Sequence, residues 1–301
     1  MASIASKLLK MQIRMVRPIL RKLDIEDDRK GQDKLGELGA RSLADKVSFE
    51  RAEGLEVEGD WAVPTGETEE RQVILYLHGG GYTAGTLAYA HGFGSLLAAE
   101  TGRRTLCIGY RLAPEHPFPA ALEDAFAAYR YLLEQGYSPK NISFVGESAG
   151  GGLCYCLALK IRQEGLRQPA CIVAISPWVD LAMRGSSYLN NIERDPSLFA
   201  DALRGYARMY GGGDLENPLI SPVYGDLRGL APSLIFAGGD ELLLDDARTM
   251  CERLSIAGCE SELHVEPEMW HVYVLFGTPE AKQAIKRICL FLGEKASPGR
   301  R

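Results

Sequence analysis

The sequence predicts an α/β protein: a mostly parallel central sheet flanked by helices, with a small helical cap over one edge. Two observations carry this expectation. From about Val73 onward, six short β-rich runs alternate with helix-patterned segments, and the runs are continuously apolar, as strands covered on both faces must be. Two stretches break the alternation, residues 1–45 and about 181–210. Ligands of open α/β sheets bind beyond the carboxyl ends of the strands, so helices inserted there would form a lid. The expected organisation is therefore an N-terminal cap segment, residues 1–45, and a catalytic domain, residues 46–301, carrying a cap insertion at about 181–210.

The first element is an amphipathic helix. MASIASKLLKMQIRMVRPILRKL places Ile4, Leu8, Met11 and Met15 on one helical stripe, and Lys7, Lys10, Arg14, Arg17, Arg21 and Lys22 precede the first acid, Asp24. Such a helix either covers folded protein or lies on acidic lipid; covering is the commoner arrangement and the one expected. No apolar core of signal-peptide length and no membrane-span-length run is present. VSFERAEGLEVEGDWAVP then reads as two antiparallel edge strands. The alternating series follows: VILYLHG, GFGSLLAAETG, TLCIGY, AALEDAFAAYRYLLEQG, ISFVGE, AGGGLCYCLALKIRQEG, CIVAISP, SLIFAGG, LLLDDARTMCERLSIAG, SELHVEP and PEAKQAIKRICLFLGEK. No internal repeat or low-complexity segment interrupts it.

With 301 residues, 46% apolar and 25% charged, the chain has the composition of an ordinary globular protein, and its net charge of −6 gives no footprint for nucleic acid. The seven cysteines are odd in number and sit mostly in apolar runs, such as TLCIGY, CIVAIS and ICLFL. That usage fits reduced, buried thiols in a cytoplasmic protein. No C-x-x-C or Cys/His cluster suggests a metal, and Cys154 and Cys156 would point roughly 200° apart on a helix.

The chemistry gathers at Gly146-Glu147-Ser148-Ala149-Gly150. A strand that reverses into a helix within so few residues puts its apex residue in strained dihedrals, and the positions two before and two after have no room for side chains. Gly146 and Gly150 occupy those positions, leaving Ser148 at the apex. At the end of the first strand of the series, His78-Gly79-Gly80-Gly81 faces the same sheet edge. The N–H groups of Gly80 and Gly81, with that of Ala149, are expected to hold the oxyanion of a tetrahedral intermediate.

A serine needs a base. Of five histidines, His78 belongs to the glycine loop and is expected to brace it. His91 is assigned a capping or surface role, His116 a proline-bounded loop, and His264 a strand. His271 alone follows the last strand, on a loop at the catalytic edge and last in the chain order Ser, acid, His. The acid should follow the preceding strand, where Asp240, Glu241, Asp245 and Asp246 stand. The last two suit the start of a helix, so the residues themselves leave Asp240 and Glu241 open.

These motifs resemble the hormone-sensitive-lipase-like esterases of the α/β-hydrolase fold, marked by HGGG upstream of G-[DE]-S-A-G-G. The likeness runs from about Val73 to Leu292 and includes Tyr110-Arg111-Leu112-Ala113-Pro114-Glu115-His116-Pro117-Phe118-Pro119-Ala120, Ser176-Pro177-Trp178-Val179-Asp180 and Pro218-Leu219-Ile220-Ser221-Pro222. Register against the family's Pro-x-Leu-Ile and histidine assigns the acid to Glu241, where the family usually has aspartate. Gly152 departs from a common asparagine, and Glu147 is a tolerated variant; neither is expected to touch the chemistry directly. The resemblance implies hydrolysis of short to medium acyl esters by Ser148, His271 and Glu241, with no cofactor or metal and a small-molecule ester as the partner. An amidase or peptidase on the same triad and a non-catalytic receptor are the alternatives. Family members often pair through the last strand, so a homodimer is one implied arrangement, although SELHVEP has only ordinary edge features.

Overall fold

The computed structural model describes residues 2–21, 24–66 and 71–295; Lys22 of the basic run and residues 296–301 of the expected catalytic domain lie outside them. Chain order is α1 (Ile4–Leu20), α2 (Ile25–Arg41), β1 (Val47–Arg51), β2 (Glu58–Pro64), β3 (Val73–Leu77), α3 (Leu87–Thr101), β4 (Arg104–Gly109), α4 (Ala120–Glu134), β5 (Ile142–Glu147), α5 (Ala149–Gln163), β6 (Cys171–Ile175), α6 (Ser187–Asn190), α7 (Ala200–Gly211), β7 (Ser233–Gly238), α8 (Leu244–Ile256), β8 (Ser261–Glu266) and α9 (Pro279–Lys295). Among the described residues the sheet has eight strands, in the order β1-β2-β4-β3-β5-β6-β7-β8. β1 and β2 pair antiparallel with each other, and β2 antiparallel with β4; all later pairings are parallel.

The central strands β3, β5, β6 and β7 are buried along their whole length because each successive side chain enters a different core. Leu75, Leu77, Phe144, Ile172 and Ile235 pack with α4, α5 and α8, whereas Ile74, Tyr76, Val145, Val173 and Leu234 pack with α3 and α9. The six expected strands and the antiparallel pair before them are all present. α3 begins earlier than its apolar pattern suggests, because the Thr86 hydroxyl accepts the Ala88 N–H as its N-cap. His91 therefore lies inside the helix. It is no cap: its Nε2 sits 3.0 Å from Asp60 of β2, and its ring lies over Phe49.

α2 packs backbone against backbone on α3. A Cβ on Gly36 would meet Ala88 O at 2.3 Å and Tyr89 Cα at 2.4 Å, and one on Gly92 would meet Gly36 Cα at 2.8 Å. The outcome for α1 departs from expectation. The helix does sit on the domain, but through Ser6, Lys10, Leu9 and Ile13 on its other side, and the expected stripe of Ile4, Leu8, Met11 and Met15 is exposed. Ser3 and Ser6 bind Glu280 at the start of α9, and Lys10 binds Asp240.

Candidate active site

β5 ends at the middle of the sheet, and the chain turns at once into α5. Ser148 stands at the turn with φ 55° and ψ −122°, held by its N–H donating to Ile175 O (2.9 Å) and by its carbonyl accepting from Trp178 N–H (2.9 Å). The turn is this sharp only because its flanks are bare. A Cβ at 146 would lie 2.5 Å from Gly150 O, and one at 150 would lie 2.0 Å from Leu77 O. Gly152 is equally confined, 2.0 Å from Trp178 O, which explains why no larger residue stands there while that carbonyl is in place.

The glycine loop crosses in front of Ser148. Gly80 (φ 104°) and Gly81 (φ 62°) take left-handed conformations. Among the described residues their N–H groups, and that of Ala149 at the first turn of α5, donate to no protein acceptor. His78 braces the loop: its Nδ1 lies 2.7 Å from Gly79 O, its ring stacks on Tyr110, and burial lowers its pKa to about 4. Glu147 braces the loop as well, a supporting role that the sequence reading did not assign. Its buried Oε1 accepts the Gly79 N–H at 2.6 Å, fixing the loop to the serine turn, and burial raises its pKa to about 7 against that hydrogen bond.

His271 reaches the serine from the loop after β8, with Nε2 2.9 Å from Ser148 Oγ and 123 positions between them in sequence. On its other side, Nδ1 lies 3.9 Å from Glu241 Oε2, and His271 Nδ1 and Glu241 Oε1 are both buried without a hydrogen-bond partner. The carboxylate is aimed by others. Glu241 Oε2 accepts the Ser176 hydroxyl (2.7 Å) and the Gly238 N–H (3.0 Å). Ser176 Oγ in turn accepts the N–H of Val272, the residue after His271, at 3.0 Å. Burial dominates both titrations, lowering His271 to about 4 and raising Glu241 to about 8. Tyr82, Ser148, Ser176 and Val272 all hold left-handed φ in these loops, the kind of strain that collects at functional sites.

The other carboxylates have separate employment. Asp240 points away from the histidine into an ion cluster with Lys10 of α1 and Arg194 of the insertion. Asp245 and Asp246 do lie in the first turn of α8, yet their side chains reach other segments: Asp245 accepts from Ser186 and Ser187 of the insertion, and Asp246 from the N–H groups of Val179 and Asp180 just before it. Sequence reasoning missed Asp195. This buried carboxylate accepts Leu242 N–H (2.9 Å) next to Glu241, holds the turn at Ser197 and Leu198, and opposes the lowering of the His271 pKa through its charge. The Asx-turn pattern Asp195-Pro196-Ser197 was the available signal.

A cavity of about 230 Å³ opens over Ser148, walled by the glycine loop, His271 and Val272, by Asp28 and Gln32 of α2, and by Leu198, Phe199, Leu203 and Tyr206 of the insertion. A larger hollow of about 620 Å³ lies elsewhere, around Trp61, Arg104 and Tyr131, and neither Ser148 nor any histidine lines it. Among the described residues no group of three or more His, Cys, Asp or Glu converges in a way that could hold a metal ion.

A family model described as the alpha/beta hydrolase fold matches residues 74–275. An acetyl-hydrolase of Streptomyces hygroscopicus is 38% identical over 272 residues, covering 84% of this chain and 90% of the relative. An esterase of Acinetobacter venetianus is 34% identical over 73% of this chain and 74% of its own length. Among solved structures, an esterase from the bacterial hormone-sensitive lipase family superposes with a TM-score of 0.89 at 38% identity, over 99% of this chain and 100% of that one.

Proposed function

The chain belongs to the hormone-sensitive-lipase-like family of alpha/beta hydrolases and is a carboxylic ester hydrolase; from that premise we propose that it acts through an acyl-enzyme on Ser148. Ser148 Oγ attacks the ester carbonyl while His271 Nε2 takes its proton, and the same nitrogen later delivers that proton to the leaving alcohol. Glu241 orients the imidazole and stabilises the imidazolium. The N–H groups of Gly80, Gly81 and Ala149 bind the oxyanion, where each donor is typically worth about 3 kcal/mol. Water then attacks the acyl-enzyme, with His271 as base, and releases the acid.

The observation that carries this reading is the 2.9 Å contact between Ser148 Oγ and His271 Nε2 beside three N–H donors that have no acceptor among the described residues. The long Glu241–His271 separation of 3.9 Å is that of a resting site, and such contacts tighten when charge develops. Turnover of p-nitrophenyl butyrate is expected to vanish in Ser148→Ala, to fall about 10³–10⁴-fold in Glu241→Gln, and to stay within about tenfold of wild type in Asp240→Asn. Full activity in either of the first two variants overturns the assignment.

We further propose that residues 1–45 and about 181–210 form a cap on the catalytic domain, residues 46–301. The walls that α2 and the insertion give the cavity support this division. A volume of about 230 Å³ lies below the usual range for drug-sized ligands and favours short to medium acyl chains. A cytoplasmic setting is supported by seven cysteines that are all free, four of them buried. Pairing through β8, which ends the sheet, is the form a homodimer would take.

A further inference from the structure

α1 presents an apolar face to solvent. Ile4, Leu8, Met11, Met15 and Ile19 are each between 52% and 80% exposed, and at 100° per residue they fall within one arc of about 80°. The helix is seated by its opposite side, through Ser6, Lys10 and the partly buried Leu9 and Ile13. Lys7, Arg14 and Arg21 line one flank of the exposed stripe, and α1 holds no acid at all in a chain of net charge −6. Lys7 and Arg21 do meet Glu268 and Asp201, but these are exposed pairs that solvent and competing anions exchange readily.

We infer that this face of α1 docks the protein on an anionic lipid surface. A helix with apolar side chains on one arc and cations beside it lies in the plane of the interface, its stripe among the acyl chains and its cations at the headgroups. No helix among the described residues is long and apolar enough to cross a membrane, so the contact is peripheral. Its position matters for the site. Arg17 and Arg21 of α1 lie over the ring of Phe199, which also walls the Ser148 cavity. Docking by α1 thus brings the cavity close to the layer in which apolar esters accumulate. A second copy of the chain could also bury an apolar stripe, but the row of exposed cations beside this one, on a helix without an acid, favours lipid, since two copies would set like charges together.

The test is flotation of the full chain with vesicles of phosphatidylcholine containing phosphatidylglycerol, and with phosphatidylcholine alone. The protein is expected on the anionic vesicles, with binding weakened about tenfold or more on neutral vesicles, in high salt, or in the double variant Leu8→Glu/Met15→Glu. Both positions are exposed, so that variant keeps its fold and its turnover of water-soluble p-nitrophenyl acetate. Three results each overturn the inference: a parent protein that ignores both vesicle types, a double variant that binds as well as the parent, or a parent dimer in sedimentation that the double variant splits. Loss of soluble-ester turnover in Ser148→Ala is a separate readout, so a failure of the docking and a failure of the triad assignment are told apart.

Discussion

Ser176 Oγ is shared by two loops: it donates to Glu241, 65 positions later in the chain, and accepts from the N–H of Val272, 96 positions later. Its own N–H is anchored to Phe236 O, and its φ of 48° shows that the backbone is held against its preference. Ser176 is therefore a positioning residue for the acid and for the histidine loop together. Replacing it with alanine is expected to lower kcat about 10- to 100-fold with little change in KM. The pH profile gives the sharper readout. His271 is already neutral above its lowered pKa of about 4, so the rise of kcat with pH follows ionisation of Glu241 near 8. The Ser176 hydroxyl holds that pKa down, so in Ser176→Ala the rise moves to higher pH. A profile that stays in place sinks this role. Ser148 and His271 were legible because their evidence is local: bare glycines around a turn, and a histidine just past the last strand. Ser176 and Asp195 were not, because their work consists of contacts between loops that only the folded sheet brings side by side.

At the scale of elements, the strands announced themselves and α2 did not. The central β-runs β3, β5, β6 and β7 are buried on both faces, a pattern no exposed segment imitates. By contrast, IEDDRKGQDKLGELGAR mixes three glycines with many charges and shows little apolar periodicity, since the face it buries is largely backbone. Gly36 and Gly39 are the residues that let α2 approach α3, while a Cβ on Gly31 would meet nothing within 4 Å. Two substitutions in one helix should therefore have opposite signs. Gly36→Ala is expected to cost about 2 kcal/mol or more through overpacking against α3, and Gly31→Ala to add about 0.5–1 kcal/mol from helix propensity. Urea midpoints measure both, and equal effects would count against this packing.

Across the whole molecule, the buried titratable groups set how stability depends on pH. His78 and His271, each lowered to about 4 from 6.5, favour the unfolded chain as proton acceptor below pH 6.5, so their contribution rises with pH from about 4 to 6.5. Glu147 and Glu241, raised to about 7 and about 8 from 4.5, keep protons that the unfolded chain has released, so their contribution falls as pH climbs from 4.5 to 8. Asp246, raised by burial, acts in the same sense. Above pH 6.5 the histidines are neutral in both states and the carboxyls act alone. Stability is expected to drop on the order of 2 kcal/mol between pH 6.5 and 8, and Glu241→Gln should flatten that slope. A urea midpoint that climbs over the same interval contradicts the argument.

Lys10 is nearly enclosed, and its charge is answered by Asp240 and by the carbonyl of Glu268. Lifting α1 from its place would part Lys10 from Asp240 and leave that buried carboxylate to Arg194 alone, next door to the loop that carries Glu241. The helix is thus a fixed keel and not a hinged arm: whatever it touches outside, it touches without leaving the hull, and the tilt of the entire body follows.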